Sequence, residues 1–158
     1  MAFEVTASAV VPAPPDRVFS LLSDTARYSE WVTGTDEVTR TDGPASQGST
    51  YDEVNPILGP WKARTHWRVV EHTPPSRSVH ETGDIPLSSH FEVIQEVAPE
   101  GGEASRVTMT LRGTPAFGPL GSVFAALMKG GVDRDNRRSV EAFAELATRE
   151  LGAQQTRA

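Results

Sequence analysis

Between Trp61 and Leu111 the apolar side chains keep to odd-numbered positions through successive stretches of chain. They are Trp61, Ala63, Trp67 and Val69, then Val79, then Phe91, Val93 and Val97, then Val107, Met109 and Leu111. The even positions carry Lys62, Arg64, His66, Arg68, Ser78, His80, Thr82, His90, Glu92, Glu96, Thr108 and Thr110. Strand side chains alternate between faces, so this pattern predicts strands with one dry and one wet face. A parity kept across the intervening turns predicts a single antiparallel sheet whose dry face is continuous. That face must be covered, and the long helical stretch available to cover it runs from Leu120 to about Gly152.

At ~1.5 Å per residue this stretch would be about 45 Å long, more than a small sheet can cover with a straight rod. Leu120, Phe124, Leu127 and Met128 share one face, and Val132, Val140, Phe143, Ala147 and Leu151 share another. Gly130 and Gly131 sit at the join. Two mid-helix glycines cost roughly 1 kcal/mol each against alanine, which predicts a bend there.

Upstream, residues 3–11 alternate loosely as a first strand. Pro14 and Pro15 then open a short helix carrying Val18, Phe19, Leu21 and Leu22. Ser23 or Asp24 caps a second short helix ending near Trp31. Weaker strands at 37–41 and 49–55, with those near 61–71, 77–83, 88–97 and 105–113, complete seven. Loops at one end of this sheet, 42–48, 73–77 and 99–105, are polar turn formers. Those at the other end, 55–60, 83–87 and 113–121, carry Ile57, Leu58, Ile85, Leu87, Phe117 and Leu120. Apolar loop tips gathered at one end predict a mouth, lid or partner surface; the plainer alternative is local packing onto the core.

The length predicts one domain over 1–152, followed by a frayed tail at 153–158. A net charge of −6, with acids and bases interspersed, argues against nucleic acid or an anionic membrane as main partner. No stretch approaches the ~20 apolar residues of a transmembrane segment. The start, MAFEVTASAVV, lacks the marks of a signal peptide, so the cytoplasm is expected. The absence of cysteine excludes disulfides, thiolate metal sites and a cysteine nucleophile. The oligomeric state is not encoded legibly.

Parity also sorts the groups that could do chemistry. With odd positions inward, Thr65, Glu81, Ser89 and Gln95 are polar groups on the dry face, joined by Tyr51, Glu53 and Asn55 if the 56–60 turn keeps register. Asn136 lies between Val132 and Val140 on the helix stripe. Pairing Thr82 with Ser88 would set Glu81 opposite Ser89, beside Trp67. A carboxylate in apolar surroundings acquires a raised pKa, which makes Glu81 the candidate catalytic acid/base. His66, His80 and His90 fall on the wet face without metal-ligand spacing, so no metal is expected. The chain holds neither a Gly-x-Ser-x-Gly elbow nor a phosphate-binding glycine loop, and no cofactor is expected. Trp61, Trp67, Phe91, Met109, Phe124, Met128 and Phe143 either line a pocket or fill a core.

Four segments carry a family resemblance: VVPAPPDRVFSLLSDTARYSEWV (10–32), GSTYDEV (48–54), HWRVVEHTPPSRSVHETG (66–83) and RDNRRSVEAFAELATR (134–149). With them the chain resembles the polyketide cyclase/dehydrase and lipid-transport group of the START/Bet v 1-like (SRPBCC) superfamily. The resemblance implies an α+β helix-grip fold: a seven-stranded antiparallel sheet wrapped around a long C-terminal helix and an internal cavity, with two short helices between strands 1 and 2. It implies binding of a hydrophobic or aromatic small molecule, lipid or polyketide-like. Tyr51, Trp61, Trp67, Ser89, Phe91, Met109, Phe117, Phe124, Met128 and Asn136 would be the ligand-binding residues, with Ile57, Leu58, Ile85 and Leu87 at the mouth. One alternative is a polyketide aromatase/cyclase or dehydratase using the same cavity. Family cyclases tend to carry an arginine there, whereas Arg64 and Arg68 face outward by parity. A second alternative is a protein-interaction module resembling co-chaperone activators or ribosome-associated toxins.

Overall fold

The computed structural model describes residues 2–152, with Leu58 described by its backbone alone; the expected tail at 153–158 lies outside the described residues. Strand β1 (Phe3–Val11) leads into helix α1 (Pro15–Leu22) and a 3-10 turn (Thr25–Glu30). Strands β2 (Glu37–Thr41), β3 (Thr50–Leu58), β4 (Trp61–Thr73), β5 (Arg77–Thr82), β6 (Ser88–Pro99) and β7 (Ser105–Pro115) follow. Helix α2 (Gly118–Ala147) ends in a π turn (Thr148–Gly152). The strands form one seven-stranded sheet in the order β1-β7-β6-β5-β4-β3-β2, and every neighbouring pair is antiparallel. This is the expected helix-grip architecture.

Pro15 takes the first position of α1, where a missing N–H costs nothing, and the helix buries Val18, Phe19 and Leu22. These side chains meet Val11, Val69, Val107, Val140 and Phe143 in the main core. The rear half of α2 supplies that core with Val140, Phe143, Leu146 and Ala147. Ring contacts run on from it, with Trp31 edge-on to Phe143 at 5.0 Å and Tyr28 edge-on to Trp31 at 5.5 Å.

The break in the odd-number parity that reshapes the interior lies in the middle of the sheet. Val69 pairs with His80 but Glu71 pairs with Val79, so β4 contributes one extra residue at Val70. A bulge of this kind flips every later side chain on one of the two strands. In β5 the even residues Ser78, His80 and Thr82 therefore turn inward. Further irregularities lie between Val38 and Arg40, between Pro56 and Leu58, and between Ser88 and His90, the last leaving Ser89 without a partner opposite.

Helix α2 stays helical through Gly130 and Gly131. Its front half does not present the expected stripe to the sheet. Gly121 and Ala125 are the buried residues there, while Leu120, Leu127 and Val123 are among the most exposed large hydrophobics. Gly121 packs against the corner before it, where only glycine fits: a Cβ at that position would lie 1.6 Å from the carbonyl oxygen of Ala116.

Candidate binding site

The concave face between the sheet and α2 carries three connected sets of polar and aromatic side chains. The first lies on β3 and β4. Tyr51, Glu53 and Asn55 alternate inward on β3, opposite Trp67, Thr65 and Ala63 on β4. Glu53 is only 4% exposed. One of its carboxylate oxygens accepts hydrogen bonds from Thr35 Oγ1 (3.1 Å) and Asn55 Nδ2 (3.0 Å). Asn55 Nδ2 also donates to the Gly34 carbonyl (2.7 Å), Thr65 Oγ1 donates to Asn55 Oδ1, and Trp67 Nε1 donates to Thr65 Oγ1 (2.9 Å). Burial pushes the Glu53 carboxyl up to about 7, although the hydrogen bonds from Asn55 and Thr35 pull the other way. Glu53 has no ion-pair partner among the described residues, so desolvation wins.

The second set crosses to β5. The Tyr51 hydroxyl donates to His80 Nδ1 (2.8 Å), and His80 Nε2 donates to Ser78 Oγ (2.9 Å), which reaches on to the Glu71 carbonyl. Burial holds His80 down at about 3, so its ring is neutral and can accept on one side while donating on the other. The phenols of Tyr51 and Tyr28 are both raised by burial.

The third set is aromatic. Tyr51 lies parallel to Trp67 with ring centres 6.2 Å apart, Trp67 meets Phe91 edge-on at 6.1 Å, and Phe91 meets Phe3 at 6.3 Å. A row of π faces thus crosses the inner surface from β3 to β1.

Trp31 Nε1, Gln95 Oε1, Asn136 Oδ1 and the Tyr28 hydroxyl form no well-aligned hydrogen bond among the described residues, although Gln95 and the Tyr28 hydroxyl lie within reach of each other. Gln95 pairs with Met109 across β6 and β7, and Asn136 donates from α2 to the Met109 carbonyl (3.0 Å). The free oxygens of Gln95 and Asn136 therefore flank the same stretch of β7. A buried polar atom left unmatched costs roughly 1–3 kcal/mol.

Packing is graded along α2. At the rear, Phe143, Val140, Val69 and Val107 are completely or almost completely buried. Toward the front, the inward-facing Phe91, Val93 and Leu111 remain half-exposed. Two open hollows stand out elsewhere: about 450 Å³ where Lys129, Gly130 and Asp133 cross β1, and about 420 Å³ beside His72 and Phe19. Neither is lined by Ile57, Ile85 or Phe117.

Of the residues singled out by sequence, Tyr51, Trp67, Met109 and Asn136 lie buried on or against the inner face, and Phe91 is half-buried there. Glu81 does not. The Val70 bulge turns it to the outer face, opposite Arg68 and Glu92, where it approaches His90 Nε2 at 3.8 Å. The same flip brings His80 inside, contrary to its expected place on the wet face. Ser89 is exposed at its bulge and donates to the Thr114 carbonyl (3.3 Å). Trp61, Phe117, Phe124, Met128 and Leu87 are exposed, whereas Ile57 and Ile85 are half-buried. Arg64 and Arg68 are exposed on the outer face. Parity alone missed His80. Its polar neighbours at two-residue spacing, Ser78 and Thr82, were the available signal.

The chain matches, over residues 2–148, the family described as polyketide cyclase/dehydrase and lipid transport. It belongs to that family. It is 33% identical to the uncharacterized protein Rv1546 of Mycobacterium tuberculosis, over 90% of this chain and 96% of the relative. It is 28% identical to the toxin Rv0910 of the same organism, over 89% of this chain and 98% of the relative. Its fold is similar to the Zhui aromatase/cyclase of Streptomyces sp. R1128, with a TM-score of 0.79, 16% identity and coverage of 94% and 95% of the two chains. No helix among the described residues is long and apolar enough to cross a membrane.

Proposed function

We propose that this family member binds a hydrophobic or aromatic small molecule, lipid or polyketide-like, between the concave sheet and the front of α2. The observation that carries this reading is the pair of unmatched interior oxygens, Gln95 Oε1 and Asn136 Oδ1, which flank Met109 on the inner face. Such atoms are matched by water or by a guest, and two acceptors favour a guest bearing hydroxyl groups. The row of rings from Tyr51 to Phe91 supplies flat apolar area for it. Native mass spectrometry of protein purified from its own cells tests the reading. A co-purifying apolar compound, lost when Gln95→Leu and Asn136→Leu are combined, is the expected result. A bare protein mass, together with failure to bind the probe 1-anilinonaphthalene-8-sulfonate, would refute it.

A second reading, cyclisation or dehydration of a polyketide chain, is favoured by one observation. Glu53, held at about 7 on the inner face, is poised to give or take a proton near neutral pH. In this reading Glu53, and not Glu81, moves the proton. Glu53→Gln would abolish turnover of a reactive poly-β-ketone substrate while leaving its binding within about threefold of the parent protein.

A further inference from the structure

We propose that Glu81, His90 and Glu92 form a zinc site on the outer face of the sheet, with three protein ligands and a fourth position open to solvent. The site lies across the sheet from the interior and stands whether or not a guest binds there. Glu81 and Glu92 pair directly across β5 and β6, and His90 precedes Glu92 by two residues, so the three side chains share a face. Glu81 Oε2 stands 3.8 Å and Glu92 Oε1 3.6 Å from His90 Nε2. One ligand atom from each residue lies within 4.8 Å of the other two. Sequence spacing hid the set, because Glu81 joins the outer face only through the Val70 bulge.

The spacing suits ligands better than an ion pair. Every other ion pair among the described residues closes to 3.4 Å or less, including that of His66 with Asp52. Here the groups converge without closing. Neither the His90 ring nor the Glu81 carboxylate forms a hydrogen bond among the described residues. Donors bound to zinc at about 2.0–2.1 Å in a tetrahedron stand about 3.4 Å apart, so the two edges at His90 need close by only a few tenths of an ångström. The carboxylate edge closes by rotation within two half-buried side chains.

The surrounding charges leave a place for the ion. One row crosses the outer face: Arg68 on β4, Glu81, Glu92, Arg112 on β7 and Glu4 on β1. Carboxylates set directly opposite each other destabilise a sheet unless a cation lies between them. The arginines do not fill that position. Arg68 forms no ion pair with Glu81 among the described residues, and Arg112 binds Glu4 at 2.9 Å and reaches Glu92 only at its other oxygen, Oε2, at 3.4 Å. That contact leaves Glu92 Oε1 toward His90 and orients the carboxylate, as outer-shell partners do in metal sites. An imidazole beside two carboxylates suits zinc, whereas magnesium and calcium prefer oxygen alone.

The test is isothermal titration calorimetry of the full, untagged chain, stripped with chelator, against zinc chloride near neutral pH. One equivalent is expected to bind, with affinity falling at least about tenfold in His90→Gln and in Glu81→Gln, since each removes a ligand. His66→Gln, which removes the outer-face histidine paired with Asp52, leaves zinc binding unchanged. Cobalt(II) in place of zinc gives the intense visible absorption of four-coordinate geometry, and His90→Gln abolishes it. Circular dichroism in chelator checks that each variant is folded. Three results overturn the proposal: no binding, binding that both ligand substitutions leave intact, and binding that magnesium displaces at equal concentration. The last would mark an acidic patch without a built site.

Discussion

Glu53 and His80 stand about two strands apart in the same dry interior, and they pull stability in opposite directions as pH changes. Glu53 is raised from 4.5 to about 7, so between those values the unfolded chain releases a proton that the folded chain keeps. Stability then falls as pH rises through that window, by about 3 kcal/mol in all. His80 is lowered from 6.5 to about 3, so the unfolded chain takes up a proton that the folded chain refuses. Its contribution is present above pH 6.5 and is lost as pH falls toward 3. Across the shared window the two slopes oppose, and the parent protein should show a nearly flat profile. Glu53→Gln should unmask the histidine: its urea midpoint should rise between pH 4.5 and 6.5, and a profile as flat as the parent's would contradict the placement of Glu53. Glu81→Gln, on the outer face, should change stability by no more than about 0.5 kcal/mol and leave ligand retention unaltered. The inward position of Glu53 was legible, because it shares parity with Tyr51 on a stretch of β3 that pairs regularly with β4 from Thr50 to Pro56. The position of Glu81 was not, because one residue inserted at Val70 inverts the faces in the rest of β4 and in β5.

At the scale of elements, the strand pattern survived wherever a hairpin was regular and failed where a bulge intervened. Val79, the one apolar residue at an odd position in β5, is buried in either register, pairing with Ile94 on the outer face. It therefore supported the wrong inside assignment without any visible conflict. Helix α2 misled for a related reason. Periodicity locates an apolar stripe but not the side it faces, and stripes ordinarily turn inward. Here the small stripe, Gly121 and Ala125, is the buried one, and Gly121 sits against the Ala116 corner. The glycines of α2 should accordingly behave in opposite ways. Gly121→Ala forces its Cβ onto the Ala116 carbonyl and should destabilise by several kcal/mol, since backbone must move. Gly130→Ala adds a methyl where nothing lies within 4 Å and should stabilise by about 0.5–1 kcal/mol. Thermal unfolding of the two variants decides: equal effects would mean that the corner is not as close as described.

The whole fold was the most legible level. Strand number, antiparallel order and the long closing helix all follow from alternation that agrees with itself over a long span, and local faults such as the Val70 bulge do not disturb that agreement. How tightly helix and sheet meet was hidden, because a buried ring contributes similar stability whether it touches a neighbour or a guest. The graded packing supplies what composition cannot. Rear residues such as Phe143 and Val69 are sealed, while Phe91, Val93 and Leu111 keep partial access to water. The front of α2 therefore has less apolar area to lose on opening than the rear, and it should open without the rest of the molecule. Amide hydrogen exchange should show residues 119–131 opening at a free energy well below that of global unfolding, with 138–147 exchanging near the global limit. Adding 1-anilinonaphthalene-8-sulfonate should slow exchange at 119–131 and in β6 while leaving the rear unchanged. The difference arises because a guest held against Phe91 and Asn136 replaces the contacts that small helix residues fail to make. Uniform protection along α2, unaltered by the probe, would mean that the interior is closed along its whole length and that binding takes place on the outside of the molecule.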